Sequence, residues 1–281
     1  DVDKQYHFFN PRAGVSYTLA ERNNFYLSFA VAQKEPTRSD FTDRYMFAEA
    51  NTYPSSEKLY DWELGYQYTA PRLSLGVNLY YMKYKDQLVP TGMVNDGDDA
   101  LNVNVPDSYR RGVELSASWR ATGWFTVGAN ATFAQNRIEN YVDALKDSPT
   151  YGKELGDRTI AYSPDVIANA FLDFHYRGFE AVLHTQYVGK QYFTNNENDA
   201  LSLDAYCVTN LNLSYTFRTR AARSVRLGLL VNNLFNAEYE SNGYGYSYMD
   251  TWSGPAPVRI DEAFYFPQAP LNVLANVTVR F

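Results

Sequence analysis

The sequence lacks long hydrophobic runs, cysteine pairs and an excess of basic residues. No stretch approaches the roughly 18 consecutive apolar residues that a transmembrane helix needs, which argues against a helical membrane protein. The single cysteine, Cys207, can form neither a disulfide within the chain nor a multi-cysteine metal site. A net charge of −7 argues against a nucleic-acid partner, which needs a basic surface to replace phosphate counterions.

Catalytic and metal-binding motifs are missing as well. The three histidines stand at no spacing typical of a nucleophile and its base, and the sequence has no HExxH, P-loop or paired-cysteine pattern. Asp96, Asp98 and Asp99 offer clustered oxygen ligands but lack the remaining spacing of an EF-hand, so they indicate a solvated loop tip. The sequence therefore predicts no enzyme, no metal site and no cofactor.

Apolar residues are abundant but finely divided. Hydrophobic residues make up 45% of the chain and aromatic residues 16%, with 25 tyrosines. The mean hydropathy is nevertheless −0.43, so apolar and polar residues must be closely interleaved. Interleaving of this kind is typical of β-strands with one apolar face.

The interleaving has a period of two residues. In residues 25–32, Phe, Leu, Phe and Val alternate with Tyr, Ser, Ala and Ala, and residues 225–231 repeat the pattern with Val, Leu, Leu and Val. Eleven segments of this kind follow one another, the last near residues 270–281. They predict eleven strands of about ten residues each.

The connections between these strands are of two alternating kinds. Short polar turns are predicted near residues 20–24, 69–72, 121–123, 177–178 and 218–224. Longer segments are predicted near residues 34–56, 90–106, 136–163, 190–203 and 237–263. In an up-and-down sheet, strict alternation places all short turns at one end and all long loops at the other.

The two strand faces and the strand length favour a membrane barrel over a soluble β-sandwich. One face holds Val, Leu, Phe, Ala and Tyr, and the other holds mainly small polar and charged residues, as a lipid-facing wall around a polar lumen does. Aromatic residues gather near the short turns and predict an interfacial girdle: Tyr17, Tyr68, Trp119, Trp124, Tyr176, Phe179, Phe217 and Phe281. An odd number of strands does not close a bacterial single-chain barrel, so the chain is expected to be the trailing part of a larger one.

Five motifs carry a family resemblance. They are NPRAGVSY (10–17), EKLYDWELGYQY (57–68), YRRGVELSASW (109–119), VNNLFNAEY (231–239) and FPQAPLNVLANVTVRF (266–281). Together they resemble the β-barrel of a TonB-dependent outer-membrane receptor of the ferric-siderophore type. The resemblance implies that residues 1–281 are the second half of an antiparallel up-and-down barrel of about 22 strands. Upstream of Asp1 would then lie the signal peptide, the TonB box, the plug domain and the first barrel strands. The residues that follow Asp1 do not have the pattern of a signal peptide.

The resemblance also implies a function. Such a receptor binds a scarce nutrient at its extracellular loops and imports it into the periplasm with energy from the TonB complex, which acts through the missing N-terminal part. The expected cargo is a ferric siderophore. The barrel is expected to be surrounded by outer-membrane lipid, and the barrel assembly machinery is expected to recognise the last strand, which ends at Phe281. A cobalamin or haem receptor of the same fold, or a passive outer-membrane channel or adhesin, stays open.

Aromatic and arginine side chains in the long segments are the candidate ligand contacts. Exposed aromatic side chains offer a large contact area and lose little conformational entropy on binding, because they have few rotatable bonds. Arginine binds anionic oxygen groups. The candidates are Arg44, Tyr45, Phe47, Tyr141, Arg158, Tyr192, Tyr239, Tyr244, Tyr246, Tyr248, Trp252 and Arg259.

Two further motifs have structural roles in this interpretation. The amides of NNLFN (232–236) can satisfy backbone groups where a strand ends. Arg110, Arg111 and Glu114 are expected to brace the lumen wall by charge pairing, not to contact a ligand.

Overall fold

The computed structural model describes residues 3–42, 53–94, 100–144 and 149–281. These residues form the short helix α1 (Arg38–Thr42) and sixteen strands. The first eight strands are β1 (Arg12–Leu19), β2 (Asn23–Lys34), β3 (Glu57–Thr69), β4 (Leu73–Val94), β5 (Ala100–Arg120), β6 (Phe125–Ile138), β7 (Arg158–Thr159) and β8 (Val166–Tyr176). The others are β9 (Phe179–Val188), β10 (Gln191–Tyr192), β11 (Ser202–Leu203), β12 (Tyr206–Phe217), β13 (Ser224–Asn232), β14 (Glu240–Asp250), β15 (Val258–Pro267) and β16 (Asn272–Arg280). Within the described ranges, no helix has the length and apolar character of a membrane span.

Eleven strands form the path of one antiparallel sheet, as the period-two pattern predicts. Their order is β1-β2-β3-β4-β5-β6-β8-β9-β12-β13-β16, and the two-residue strand β7 adds to β6 beside this path. Each strand pairs with its neighbour in the chain or with the next long strand, which is the up-and-down arrangement. The sheet is open, with β1 and β16 at its edges.

The short turns lie at one end of the sheet, as predicted. Between β8 and β9 the turn has two residues, Arg177 at φ 48° and Gly178 at φ 86°. Two successive residues with positive φ form the type I′ turn that matches the right-handed twist of paired strands. Ala20 and Glu21 adopt the same left-handed region between β1 and β2, at φ 52° and 59°.

Two segments predicted as long loops are largely hairpins instead. β4 continues to Val94 and β5 begins at Ala100, so most of residues 90–106 extend the hairpin beyond the wall. Residues 237–263 contain β14 and the start of β15, which form a separate two-stranded sheet. Both segments still connect wall strands at the long-loop end, as predicted, but they do so as paired strands and not as irregular loops.

One face of the main sheet is apolar and strongly exposed. Val15, Leu64, Leu115 and Val277 lie on this face and are 64%, 51%, 41% and 65% exposed. A single sheet has no second layer to cover such a face, and this pattern is typical of the outer wall of a barrel. We call this face outward and the polar face inward.

The buried core lies at the long-loop end of the sheet. One cluster contains Val89, Val105, Ile138, Tyr141 and Ile160. A second cluster contains Phe193, Leu201 and Leu203. These residues come from the extended β4–β5 hairpin and from the long segments. Most of the buried side chains therefore lie among the long connections and not in the wall.

Candidate ligand-binding site

Three segments pack together at the long-loop end. They are the part of the β4–β5 hairpin beyond the wall, around Pro90, the segment between β9 and β12 that carries β10 and β11, and the β14–β15 hairpin. Asn195, fully buried, joins the first two segments because its Nδ2 donates to the Pro90 carbonyl at 2.5 Å. Its Oδ1 accepts from the N–H of Ala161, in the connection between β7 and β8, at 2.8 Å. Phe193 joins the third, since its ring lies 5.8 Å from that of Tyr265 in β15.

The β14–β15 hairpin sits on this packed base through its small residues. β14 reads ESNGYGYSYMD, in which Gly243, Gly245 and Ser247 alternate with tyrosines. A Cβ added at Gly245 would lie 2.9 Å from the Phe193 Cδ2 and 2.9 Å from the Leu201 Cδ2. The close approach of the hairpin therefore requires glycine on this face.

The other face of the hairpin is a layer of aromatic rings, which we call the tyrosine face: Tyr244, Tyr246, Tyr248, Glu262, Phe264 and Phe266. Tyr244 stacks on Phe264 with 4.9 Å between ring centroids and 14° between planes, and the ring of Tyr246 lies 6.1 Å from that of Phe264. Tyr244 and Tyr248 stay 46% and 43% exposed. The alternation in β14 thus places ring surface on the solvent side of a hairpin that is anchored from below.

Glu262 organises the hydroxyl groups of the tyrosine face. The Tyr246 hydroxyl donates to Glu262 Oε2 at 2.8 Å, and the Tyr248 hydroxyl donates to Glu262 Oε1 at 3.2 Å. The hydrogen bond to this carboxylate raises the pKa of Tyr248 above its usual value. The face consequently presents rings around one negative charge.

Arg259 lies on the anchored side of the hairpin, away from the tyrosine face. Its Nε donates to Asp261 Oδ1 at 2.8 Å and its second amino group donates to Ser247 Oγ at 3.0 Å. Burial opposes the charge of Asp261, but hydrogen bonds from Ser247 and Arg259 outweigh it and lower the pKa of that carboxyl. The charge of Arg259 is therefore balanced within the hairpin.

Tyr141 is part of the buried core, with 2% of its surface exposed. Burial, together with the neighbouring Asp143, raises the pKa of Tyr141 well above its usual value. Its ring lines the wall of a cavity of about 680 Å³, which also borders Val105, Asn140 and Tyr151.

The remaining candidates are spread over the long-loop end. Arg158 donates to the Asp157 carbonyl at 3.0 Å, and its buried Nε has no hydrogen-bond partner in the described part of the chain. Tyr192 lies in β10, 5.0 Å below Lys190 Nζ. Tyr239 packs its ring 4.7 Å from that of Tyr206, and Trp252, at the hairpin tip, is 91% exposed.

Several predicted residues fall outside the described ranges. These are the candidate contacts Arg44, Tyr45 and Phe47 and the aspartates Asp96, Asp98 and Asp99. Within the described residues, no group of three or more His, Cys, Asp and Glu side chains is placed to hold a metal ion.

The NNLFN motif has the structural role that its amides predict. Asn233, 3% exposed, donates from Nδ2 to the carbonyls of Ala237 and Ala269 at 2.8 and 3.3 Å, and its Oδ1 accepts from the Ala237 N–H at 2.8 Å. Asn236 Oδ1 accepts from the Leu271 N–H at 2.9 Å. These bonds fix the point where the chain leaves β13, enters the hairpin and returns to β16.

The RRGVE motif braces the wall through neutral partners, which corrects the expectation of charge pairing. Arg110 donates to Ser163 Oγ at 2.9 Å, and Glu114 accepts from Asn78 Nδ2 at 3.1 Å. Arg111 donates to Gln135 Oε1 at 2.8 Å and lies on the outward face, opposite Tyr81 in the register. The prediction was wrong because residues one apart in a strand point to opposite faces, so Arg111 cannot reach the lumen that Arg110 and Glu114 line.

Sequence reasoning missed Asn195, Glu262 and Phe264. Asn195 organises the base, and the other two complete the tyrosine face. Glu262 and Phe264 alternate in β15 as the tyrosines do in β14, so reading residues 240–267 as paired strands would have found them.

The fold and this site define a class: a β-barrel wall with an apolar outer face and aromatic, elaborated segments at one end. Comparison with protein families matches residues 1–234 to the family described as TonB dependent receptor-like, beta-barrel. The chain belongs to this family, whose members are outer-membrane receptors and transporters, not enzymes. The resemblance to this family is thereby confirmed.

Individual relatives are distant. The chain is 26% identical to the pesticin receptor of Yersinia enterocolitica over 190 residues, which cover 67% of this chain and 26% of the receptor. The ferric yersiniabactin uptake receptor FyuA from Yersinia pestis aligns with a TM-score of 0.65 at 19% identity, over 96% of this chain and 37% of FyuA. The ferric-catecholate import receptor Fiu from E. coli K12 aligns with a TM-score of 0.64 at 20% identity, over 96% of this chain and 34% of Fiu.

The extent of these matches limits what they show. The chain spans about a quarter of the length of the curated relative and about a third of each solved receptor. At 19–20% identity, the two solved structures establish the fold of this chain and leave its ligand undetermined.

Proposed function

We propose that the chain is part of an integral outer-membrane receptor that binds a ferric siderophore at its extracellular end and imports it with energy from TonB. The observation that carries this proposal is the tyrosine face, which holds exposed, pre-stacked rings on a hairpin anchored to the loop core. Rigid aromatic side chains provide binding area at little entropic cost. Family membership and the iron-chelate receptors among its structural neighbours support the same function.

The charges at this site favour one kind of chelate. Glu262 places a carboxylate among the tyrosines, and Arg259 is balanced by Asp261 on the other side of the hairpin. A ligand that stacks aromatic rings on Tyr244 and Tyr248 and offers a hydrogen-bond donor or a positive group to Glu262 fits this arrangement. A strongly anionic chelate surface would be repelled at Glu262.

In this proposal the chain forms the C-terminal part of a larger barrel. Its eleven-strand sheet and its coverage of only a third of each solved receptor support the inference. The plug domain, the TonB contact and the first barrel strands would come from the preceding part of the protein. The strand that ends near Phe281 would be the one read by the barrel assembly machinery.

The test is ligand titration of the complete receptor, with binding monitored by the quenching of its intrinsic Trp and Tyr fluorescence. A ferric catecholate, a neutral aromatic ferric chelate, cobalamin and haem are compared in parallel. Saturable binding of a ferric chelate alone is the expected result. Saturation by cobalamin or haem alone would replace the proposed cargo, and absence of saturation by all four would contradict the siderophore proposal.

Substitution locates the binding surface. Tyr244→Ala combined with Tyr248→Ala should weaken chelate binding at least tenfold, because truncation of central aromatic contacts costs more than about 1.4 kcal/mol. Tyr176→Ala is the matched control, since Tyr176 is 51% exposed and lies at the short-turn end. Equal affinity of the double variant and the control would remove the tyrosine face from the binding site.

A further inference from the structure

The short-turn end of the sheet is rich in arginine. The last five strands of the sheet path, β8, β9, β12, β13 and β16, and the two short turns that join them carry a set of arginines at this end. We call this set the arginine cluster: Arg177, Arg218, Arg220, Arg223, Arg226 and Arg280. All members are exposed, and they form a positive patch on a chain whose net charge is −7.

Strand pairing places the two turns side by side. β9 pairs with β12, and the Thr216 N–H donates to the Gly178 carbonyl at 2.8 Å, so the β8–β9 turn and the β12–β13 turn are neighbours along the rim. Neighbouring strands lie about 4.8 Å apart, so the five strands that carry the arginine cluster span roughly 20 Å. Cations this close together repel one another, and an anion between them lowers that cost.

A carboxylate balances one member of the arginine cluster. An Arg226 amino group lies 2.8 Å from Glu180 Oε2, which also accepts from Ser214 Oγ at 3.1 Å. In the part of the chain that the structure describes, the other five members form no ion pair with a carboxylate. The Arg177 guanidinium lies 5.1 Å from the ring centroid of Tyr176, a contact that leaves its charge in place. Most of the positive charge of the cluster is therefore available to a ligand.

The β12–β13 turn presents its arginines on a closed loop. The Thr219 N–H donates to the Ala222 carbonyl at 3.3 Å, and Thr219 Oγ1 accepts from the Ala222 N–H at 2.9 Å. These bonds close the turn around Arg220 and hold the arginines on either side of it at the rim. The turn begins directly after Phe217, a residue of the predicted aromatic girdle, so its arginines lie on the water side of that girdle.

Two members of the arginine cluster point into the barrel. Val225 and Val279 pair on the outward face, so Arg226 and Arg280, the next residues of β13 and β16, point inward. Lipid around a barrel touches the outward face of its wall. The arginine cluster therefore continues from the turns to the mouth of the lumen, where a partner reaches it through water.

The choice of arginine indicates the chemistry of that partner. The cluster contains no lysine. The planar guanidinium group of arginine offers paired N–H donors that match the two oxygens of a carboxylate, whereas the ammonium group of lysine is a point charge. Several exposed arginines at one rim favour a partner that presents several carboxylates.

We propose that the arginine cluster is a docking surface for a soluble periplasmic protein with an acidic surface. Carboxylates of the partner bind Arg218, Arg220 and Arg223 at the β12–β13 turn, and Arg177 and Arg280 beside it. Opposite charge on the two surfaces guides their encounter. The inference rests on the proposed function for one point, which is that the short-turn end faces the periplasm. The surface is separate from the TonB contact, which the proposed function places on the preceding part of the protein.

The test uses the complete receptor in nanodiscs of phosphatidylcholine. The acidic probe is a fluorescent oligoglutamate peptide, and its binding is followed by fluorescence anisotropy. The original receptor should bind the peptide saturably. The turn variant, which combines Arg218→Gln, Arg220→Gln and Arg223→Gln, should bind it roughly tenfold more weakly, since each exposed ion pair contributes about twofold.

The matched control removes the same number of charges at the same end of the sheet. It combines Arg22→Gln, Arg72→Gln and Arg120→Gln, three exposed arginines in or beside the first three short turns. These arginines belong to strands that lie at least two strand spacings, or about 10 Å, from β8, which exceeds the Debye length of about 8 Å at physiological ionic strength. The control should therefore bind the peptide within about twofold of the original.

Several results would overturn the docking surface. They are absence of saturable peptide binding by the original receptor, equal binding by the turn variant and the original, equal losses in the turn variant and the control, and equal binding of an oligoglutamine peptide. Loss of peptide binding in nanodiscs that contain phosphatidylglycerol would assign the arginine cluster to lipid headgroups. Stronger competition by soluble peptidoglycan fragments than by unlabelled oligoglutamate would assign it to the cell wall.

Two further measurements make these results interpretable. Heat-modifiable gel mobility reports whether each variant is folded. Ferric-chelate titration of the same samples separates this proposal from the proposed function, because the turn variant should bind the chelate normally at the opposite end of the barrel.

Discussion

Asn233 is the residue on which the exit from the wall depends. It is buried, adopts a left-handed φ of 50°, and bonds through its side chain to Ala237 and Ala269. Asn233→Ala should lower the free energy of unfolding by about 2–4 kcal/mol, because it removes hydrogen bonds of about 1 kcal/mol each and adds left-handed strain. Urea titration of the complete receptor refolded in lipid measures the loss.

Asn233→Gly separates the two causes, since glycine accepts the left-handed conformation without strain. It should recover about 1 kcal/mol relative to Asn233→Ala. Identical unfolding midpoints for the two variants would show that backbone strain has no part in the effect.

Gly245 determines how closely the ligand-binding hairpin approaches its base. In Gly245→Ala the new methyl group would meet Phe193, Leu201 and the Glu262 carbonyl at 2.9 Å each, so the hairpin must move away. Overpacking of this size costs about 1–3 kcal/mol. We expect faster hydrogen–deuterium exchange in residues 240–250 and weaker chelate binding.

Gly254→Ala is the control for this change. Gly254 lies in the same hairpin, and its nearest neighbour is the Ala256 carbonyl oxygen at 4.0 Å. Its exchange and binding should stay unchanged, and an equal effect in both variants would show that the hairpin is sensitive to any added methyl group.

At the scale of elements, the wall and the binding hairpin are separable. β13 and β16 pair directly from Ser224↔Arg280 to Asn232↔Asn272, without help from β14 or β15. Replacing residues 241–266 with a short glycine–serine turn should therefore leave a folded barrel and abolish chelate binding. Gel mobility without heating tests the first expectation and fluorescence titration the second.

A folded, hairpin-deleted receptor that still bound the chelate with unchanged affinity would place the site elsewhere. The cavity beside Tyr141 would then be the next surface to test, since residues of β5, the segment after β6 and residues 53–55 line it.

At the scale of the whole molecule, the two faces of the sheet should respond oppositely to charge. Leu115 points outward from the middle of the apolar strip, and Ser116, the next residue of β5, points inward. Leu115→Arg should cost about 2–4 kcal/mol on folding into a bilayer, as arginine does at the midplane of a barrel wall. Ser116→Arg should cost far less, because the lumen is polar, and a reversed order in bilayer urea titrations would contradict the assigned outward face.

The sequence by itself determined the wall. Strand number, the two faces and the end that carries the long segments all follow from period-two alternation and turn residues, which are local properties that each strand expresses independently. The alternation in residues 225–231 already indicated which side chains would face outward, and the register confirmed it.

The tertiary structure alone decided how the predicted ligand contacts are used. Arg259 is paired with Asp261, and Tyr141 is buried against Ile138 and Ile160. The tyrosines of β14 face solvent because the glycines between them pack against Phe193 and Leu201. Several of these contacts join residues dozens of positions apart in the chain. Exposure and charge balance at such places depend on which segments pack together, and a local pattern carries no information about that.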